Sequence, residues 1–396
     1  MGDLKIFANT IDENAKEQIS ALMAQPAFSD CKVRIMPDVH AGKGCVIGFT
    51  ADLGDKVIPN VVGVDIGCGL LTIELGKVDI DFDRLDNFIR KNIPSGQNVN
   101  DVPVQAPQGK IESLACYDQL QNKEWLKRSM CSLGGGNHFI EIDVDDEGNK
   151  YLVIHTGSRN LGKQVADIYQ NMAISRMCGK EKFKEMCDSL VAAYKARGDE
   201  KHISSGLKLL KLMYSSDISV PNEFCYLDGN ARAMYLHDMG VCIQFADWNR
   251  TYIARRICDE MGWDENIKFS TIHNYVDFRR NIVRKGAISA EKGERVIIPI
   301  NMRDGCIIGV GKGNPDWNYS APHGAGRIMS RRQAKETLRV EDYRATMSGI
   351  YSTSVCSETI DEAPQAYKTI HEIAGYIVDS VEIVRIIKPV YNFKAN

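Results

Sequence analysis

The stretch VVGVDIGCGLL, residues 61–71, sets one carboxylate, Asp65, and one thiol, Cys68, three residues apart in an otherwise apolar segment. Its composition reads as a buried strand, but Gly63, Gly67 and Gly69 interrupt it, as Gly54 does upstream. Glycine weakens a strand interior and usually marks a bulge or a close approach to the backbone. Two readings follow. One is a glycine-rich strand with a core cysteine, since free Cys is often simply buried. The other is a pair of ligands held where something crowds the main chain.

The histidines tip the balance. Of the eight, five stand in turn or glycine-rich settings: His40 in PDVHAGKG, His138 in LGGGNHFIE, His155 in VIHTGSRN, His273 in STIHNY and His323 in SAPHGAGR. His202, His237 and His371 fall in helical or charged stretches and read as surface or packing residues. Histidine is the commonest metal ligand, and backbone that approaches a ligand closely wants glycine. His138, His155 and His273 each stand at the edge of an expected strand. With Asp65 and Cys68 they offer three imidazoles, a carboxylate and a thiolate. Five protein ligands are too many for one catalytic ion with an open position, so a two-metal site is expected, with the thiolate able to bridge. Paired ions suit phosphoryl chemistry because they clamp the attacking and leaving oxygens. Ligand softness alone favours Zn²⁺, but cellular availability also governs the choice.

Two further motifs point to phosphate. LGGGNH offers backbone N–H donors beside His138, and SAPHGAGR puts Arg327 four residues after His323. Neither is a Walker A loop, and GVGKGNPD, which starts at Gly309, lacks the following Ser or Thr. Basic residues cluster at Arg279, Arg280, Arg284 and Lys285 and again at Arg327, Arg331, Arg332 and Lys335, where local positive charge suits a polyanionic substrate.

The remainder of the chain bounds the class. Its 396 residues are 44% hydrophobic and 26% charged with a net charge of −3, which is globular composition without a global basic field. No run approaches the roughly 18 apolar residues of a membrane helix. The N-terminal MGDLKIFANT lacks a signal-peptide pattern, so a cytoplasmic location is expected. Twelve scattered cysteines without CxxC read as reduced thiols. Strands are expected at Leu4–Phe7, Cys31–Met36, Tyr151–His155, Ile267–Ile272, Val296–Ile300 and Cys306–Val310. Thr10 and Glu13 read as a capping box opening a helix that ends before Pro26. PDVHAGKG reads as a turn and residues 95–110 as a surface loop. Asp81–Lys91 and 161–197 read as helical. Gly229–Gly262 does so throughout, with a break near Gly240, and the tail from Ile373 reads as a helix followed by extended YNFKAN. Glycine-rich motifs spread from residue 38 to 327, which favours one α+β domain over 1–396, with the helical segment of about 160–265 packed on it.

Taken together, MPDVHAGKG, VIPNVVGVDIGCG, LGGGNHFIE, HTGSRNLG, HNY, RKGA, GKGN, SAPHGAGR and a lysine near the C-terminus resemble the RtcB family of RNA ligases, over residues 36–394. The resemblance implies a domain of mixed and antiparallel sheets around a central metal cleft. It implies a ligase dependent on GTP and two Mn²⁺, joining RNA 3′-phosphate or 2′,3′-cyclic phosphate ends to 5′-hydroxyl ends in RNA repair or tRNA splicing. One ion matches Cys68, His155 and His273, and the other Asp65, Cys68 and His138. His323 matches the guanylylated nucleophile. Nucleotide contacts match Asn137, His138, Phe139, Ile140 and Glu141; His273 and Asn274; Pro299, Ile300, Asn301, Met302 and Cys306; His323, Gly324, Ala325 and Gly326; and Lys394. An ionised Glu141 suits guanine's N1 and N2 donors, being acceptor-only, and Asn274 and Arg159 suit phosphate oxygens. An archease-type activator is a further implied partner, and a monomer is expected.

The chain departs from the pattern in two places. It has PINMRDGC, residues 299–306, where many members have a PGSMGTAS-like segment, so Cys306 replaces a serine and Arg303 and Asp304 bring new charges. It ends Lys394-Ala395-Asn396 in place of Lys-Gly. Two other functions compete with the ligase. A two-metal phosphohydrolase or cyclic phosphodiesterase would need the five ligands but not His323. An RNA-binding factor with a vestigial site is disfavoured, because every matched ligand position is filled.

Overall fold

The computed structural model describes residues 2–104, 111–177, 180–213 and 220–395, so residues 105–110 of the expected surface loop lie outside the described residues. The described strands, in chain order, are β1 Asp3–Ile6, β2 Lys32–His40, β3 Ile47–Asp52, β4 Gly69–Gly76, β5 Phe139–Val144, β6 Lys150–Thr156 and β7 Lys268–Ile272. They continue with β8 Asn274–Asp277, β9 Ile282–Lys285, β10 Ala287–Ser289, β11 Arg295–Asn301, β12 Gly305–Gly311, β13 Ser320–Pro322 and β14 Val381–Phe393. Long helices sit between the strands, and the architecture is α+β.

Three sheets form. One runs β1-β2-β3-β9-β8, a small one pairs β10 with β13, and the largest runs β11-β12-β14-β5-β6-β4-β7. Among the described strands, only β1 and β2 pair in parallel. The large sheet curls until β11 lies against β7. Arg295 of β11 there pairs with Glu74 of β4 and lies 4.1 Å from the Phe269 ring of β7.

Strand periodicity sorts this sheet into two faces. Leu71, Ile73, Ile140, Ile142, Leu152 and Ile154 point outward, packing with Leu85 and Ile89 of one helix and Ile253 and Ile257 of another. Leu70, Phe139, Tyr151 and Val153 point inward and meet Ile297, Cys306, Ile308 and Ile387 across the curl. Since side chains alternate, Glu141 and Asp143 follow Phe139 onto the inner face, and His155 follows Val153. This face leads to the site.

The opening stretch is not one strand. Residues Pro59–Val62 form a helical turn capped by Gly63 at φ +105°, and β4 begins only at Gly69, leaving Asp65 and Cys68 in the loop between. The reason is local: Pro59 fits the first turn of a helix, and Gly63 supplies a φ that Val cannot. β2 continues through Pro37 to His40, so PDVH is strand where a turn was expected. The first helix, Glu13–Met23, is capped by Asp12, whose Oδ1 accepts from the Ala15 N–H at 2.9 Å, in place of the Thr10–Glu13 box. The helix Gly229–Met261 runs 33 residues without a break at Gly240 and stops at Gly262, φ +71°. At the tail, a short helix Ile370–Tyr376 gives way to β14 from Val381, so extended chain begins well before YNFKAN.

Gly69 is a place where only glycine fits. A β-carbon there would overlap the Thr271 carbonyl oxygen and lie 2.8 Å from Ile272 Cα on the paired strand β7. Gly69→Ala is therefore expected to force β4 and β7 apart and cost about 2 kcal/mol or more, read as a lower urea midpoint; a midpoint equal to wild type would show that the strands yield freely.

Candidate active site

Five side chains meet where the large sheet opens. His155 is the next-to-last residue of β6, His138 immediately precedes β5, His273 joins β7 to β8, and Asp65 and Cys68 come from the loop before β4. Registry brings them together: in the sheet His155 lies opposite both Leu70 and Phe139. The His273 N–H donates to Cys68 O at 3.0 Å, and the Gly67 N–H donates to Asn274 O at 2.9 Å. Cys68 Sγ lies 3.4 Å from His138 Nε2 and 3.3 Å from His155 Nε2. His155 Nε2 lies 3.2 Å from His273 Nε2, and His138 Nε2 lies 3.2 Å from Asp65 Oδ2. Two triads result, Cys68–His155–His273 and Asp65–Cys68–His138, with Cys68 in both. The five residues expected as ligands are thus brought to one point.

Whether these residues fit a metal follows from their hydrogen bonds. His138 Nδ1 faces Leu133 O at 2.8 Å and His155 Nδ1 faces Asn137 O at 3.2 Å. A carbonyl can only accept, so each Nδ1 carries the proton and each Nε2 turns a bare lone pair inward. Those lone pairs face a thiol, a carboxylate and each other. Such crowding is unfavourable until a cation takes the centre, and carbonyl-oriented imidazoles are the usual surroundings of metal-bound histidine. Burial and neighbouring imidazoles hold His155 well below the usual histidine range, and burial with His323 does the same to His273. Both are therefore neutral donors. Burial opposes ionisation of Asp65, while the Ser158 N–H donates to its Oδ1 at 3.1 Å and favours the anion. Burial, and then Asp65, push the Cys68 thiol up, so a thiolate there needs a bound cation. The donor set fits one or two divalent ions.

His323 follows β13 and lies beside this cluster, its ring centroid 4.6 Å from that of His273. Its Nδ1 lies 2.6 Å from Asp38 Oδ2, which also accepts the His323 N–H at 3.1 Å. Asp38 sits on β2 and is fully buried. It fixes the tautomer with the proton on Nδ1 and leaves Nε2 with its lone pair.

His323 lines a cavity of about 680 Å³. Of the expected nucleotide contacts, Asn137, Phe139, Glu141, Pro299, Ile300, Asn301, Met302, Gly324, Ala325, Gly326 and Lys394 line it too, with His155 at its floor. His138, His273 and Cys306 lie behind the lining, and the Ile140 side chain points into the opposite core. Both ends of the Asn274 amide are spent on backbone: Nδ2 donates to Asp65 O at 3.0 Å and Oδ1 accepts from the Gly286 N–H at 3.0 Å. Arg159 is similarly engaged, donating to Ser132 Oγ and Gly96 O.

The first basic cluster is not a positive patch. Arg284 is buried against Asp277 and Tyr275, Lys285 donates to three carbonyls, and Arg280 pairs with Glu291. In the second, Arg331 binds Asp361 and Glu362 at 2.6 and 2.5 Å, while Arg332 turns to solvent. His40 stays at the cavity wall, with Nδ1 2.9 Å from Asp38 O.

Three residues not singled out in the sequence complete the site. Asp38 lay inside MPDVHAGKG, unremarked beside His40. Asn249 and Arg250, adjacent and fully buried on the long helix Gly229–Met261, hold the ligand loops from behind. Asn249 Nδ2 donates to Ser132 O and Gly157 O, and Arg250 Nη1 donates to Gly67 O and Thr156 O, each of the latter pair at 2.9 Å. A buried amide and guanidinium in a helical pattern were the available signal.

A family model described as tRNA-splicing ligase RtcB matches residues 18–122 and 104–395. The RNA-splicing ligase RtcB of Escherichia coli K12 is 28% identical over 406 residues, covering 96% of this chain and 94% of that protein. The tRNA-splicing ligase RtcB of Aeropyrum pernix is 27% identical, covering 89% and 85%. That of Archaeoglobus fulgidus is 24% identical, covering 93% and 88%. The chain belongs to the RtcB family.

Because Cys68 belongs to both triads, Cys68→Ala removes one ligand from each. Divalent-ion content measured on the purified variant is expected to fall for both positions together. Retention of the wild-type stoichiometry would show that the thiol serves neither.

Proposed function

We propose that this RtcB-family protein is an RNA ligase, working as one catalytic domain over 1–396, that seals RNA 3′-phosphate or 2′,3′-cyclic phosphate ends to 5′-hydroxyl ends using GTP and two Mn²⁺. The observation that carries the reading is the Asp38–His323 pair, an oriented imidazole set against a metal-ligand cluster at the wall of a nucleotide-sized cavity. Cys68, His155 and His273 would hold one ion, and Asp65, Cys68 and His138 the other. When bound, the ions withdraw charge from phosphate oxygens and orient them.

The chain's own residues divide the remaining work. Asp38 holds the proton on His323 Nδ1, so Nε2 is free to attack the α-phosphorus of GTP; an N–P bond forms, the P–O bond to the β-phosphate breaks, and pyrophosphate leaves. As the imidazole becomes positive, the Asp38 carboxylate 2.6 Å away stabilises it. His323 then passes the GMP group to the RNA 3′-phosphate, and attack by the 5′-hydroxyl expels GMP. A cyclic end is first hydrolysed to the 3′-phosphate. Glu141, held at 2.5 Å by Asn392 Nδ2, takes the guanine N1 and N2 donors. Phe139 and Pro299 offer apolar wall to the base.

A site that needs only the five ligands would release phosphate from RNA ends without closing a strand, and this defines the competing hydrolase. Incubation with α-labelled GTP and Mn²⁺ separates the two. Acid-labile label is expected on wild type and none on His323→Ala. Asp38→Asn, which loses the orienting carboxylate, is expected to label at least about a hundredfold more slowly. Absence of label on wild type, with phosphate released from RNA ends, would establish the hydrolase instead.

A further inference from the structure

Behind the cavity wall, the inner face of the large sheet carries a second carboxylate that the chemistry above does not use. Asp143 stands two residues after Glu141 on β5 and is fully buried, and neither of its oxygens has a hydrogen-bond partner. Its carboxylate, that of Glu141 and the Cys306 thiol all lie within 4.8 Å of one another. The surroundings are apolar: Leu70, Val153, Ile297, Ile308 and Ile387. Tyr151, opposite Asp143 on β6, turns its hydroxyl away to Asp145 at 2.8 Å. Lys394, whose charge acts on Glu141, is held by Glu362 at 3.0 Å.

Two neighbouring carboxylates in such a place cannot both be ionised, because each charge lacks solvent and repels the other. The groups around them decide where the proton stays. Glu141 receives the Asn392 Nδ2 N–H and feels Lys394, which favour its anion. At Asp143 burial and the Glu141 charge oppose the anion, with only the Cys306 thiol, a weak donor, in its favour; burial pushes that thiol up, so sulfur is no competing charge there. We propose that Asp143 is a neutral carboxylic acid whose O–H is donated to Glu141, making it a positioning residue that holds the Glu141 carboxylate for the guanine edge. This rests on the guanine reading of Glu141. A divalent cation on the same three atoms is the competing occupant, and Asn392 argues against it: the amide turns N–H, not its carbonyl, toward Glu141.

Replacing Asp143 by Asn keeps the shape and a donor while removing the possibility of a charge. Replacing it by Leu removes the donor. On the full chain at neutral pH in D₂O, the infrared carbonyl stretch of a protonated carboxylic acid is expected for wild type and expected to vanish in Asp143→Asn. With the α,β-methylene analogue of GTP as probe, Asp143→Asn is expected to bind within about threefold of wild type, and Asp143→Leu at least about tenfold more weakly, as loss of a hydrogen bond to a charged group predicts. Should the leucine variant not fold, the infrared band and the asparagine variant decide. Absence of the band overturns the proposal, as does a stoichiometric divalent cation lost from both Asp143→Asn and Cys306→Ala. Failure of wild type to bind the analogue overturns the guanine reading instead, and leaves the band to decide where the proton sits.

Discussion

Everything at this site depends on one electrostatic constraint: buried lone pairs on three imidazoles and a sulfur face one another and a half-buried carboxylate. Unlike an ion pair, this arrangement has no internal counter-charge. Bringing a single anion out of water costs several kcal/mol unless it is paired, and Asp65 and a Cys68 thiolate would share one buried space. The protein accepts that cost only because it fixes the donors from outside. Leu133 O and Asn137 O determine which nitrogen of His138 and His155 is bare, and Ser158 holds one oxygen of Asp65 while the other faces His138. The geometry is set before any ion arrives, so binding does not have to purchase it.

The scaffold serves the same constraint. Antiparallel pairing of β4 with both β6 and β7 brings the start of β4 beside His155 and His273, and the backbone must come close there, which is why Gly69 tolerates no side chain. Gly157 is a second case, since a β-carbon would overlap the Asp65 carboxylate. The long helix crosses beneath, and the Asn249–Arg250 pair ties together the carbonyls of residues next to Cys68 and His155. A break at Gly240 would have uncoupled this brace from the rest of the helix. Continuity of the helix is therefore a condition of the site, although glycine in a helix interior costs about 1 kcal/mol relative to alanine.

This explains what the amino-acid sequence disclosed and what it hid. The five candidate ligands were legible as a group because metal chemistry requires unusual residue types in glycine-rich settings, and both features are local. Asp38 was not, since its partner His323 lies 285 positions away and a carboxylate in MPDVH looks like a turn residue. The true start of β4 was hidden because VVG is apolar and β-branched, which favours a strand, while Pro59 and Gly63 impose a helical turn. The basic run Arg279–Lys285 misled for the opposite reason. Charge counts along a chain say nothing about the carboxylates and carbonyls that folding brings opposite, and here Asp277, Glu291 and three main-chain oxygens take up Arg284, Arg280 and Lys285.

The same accounting applies at the mouth of the cavity. Arg327, Arg331 and Lys394 converge there, yet Asp361 and Glu362 stand among them. Burial works against the Glu362 charge, but Lys394 and Arg331 hold its carboxyl at about 2, so it is anionic wherever the protein is folded near neutrality. The cations are thereby placed without presenting a large free positive field, which agrees with a net charge of −3 for the whole chain. An anionic nucleotide entering this cavity finds oriented donors but little surplus positive charge. On the proposed reading, most of the compensation for a triphosphate would then come from cations held at the histidine and cysteine cluster. The ion pairs at the mouth and the lone pairs at the floor would thus have one consequence for the proposed nucleotide, a cavity whose affinity for phosphate follows its metal content.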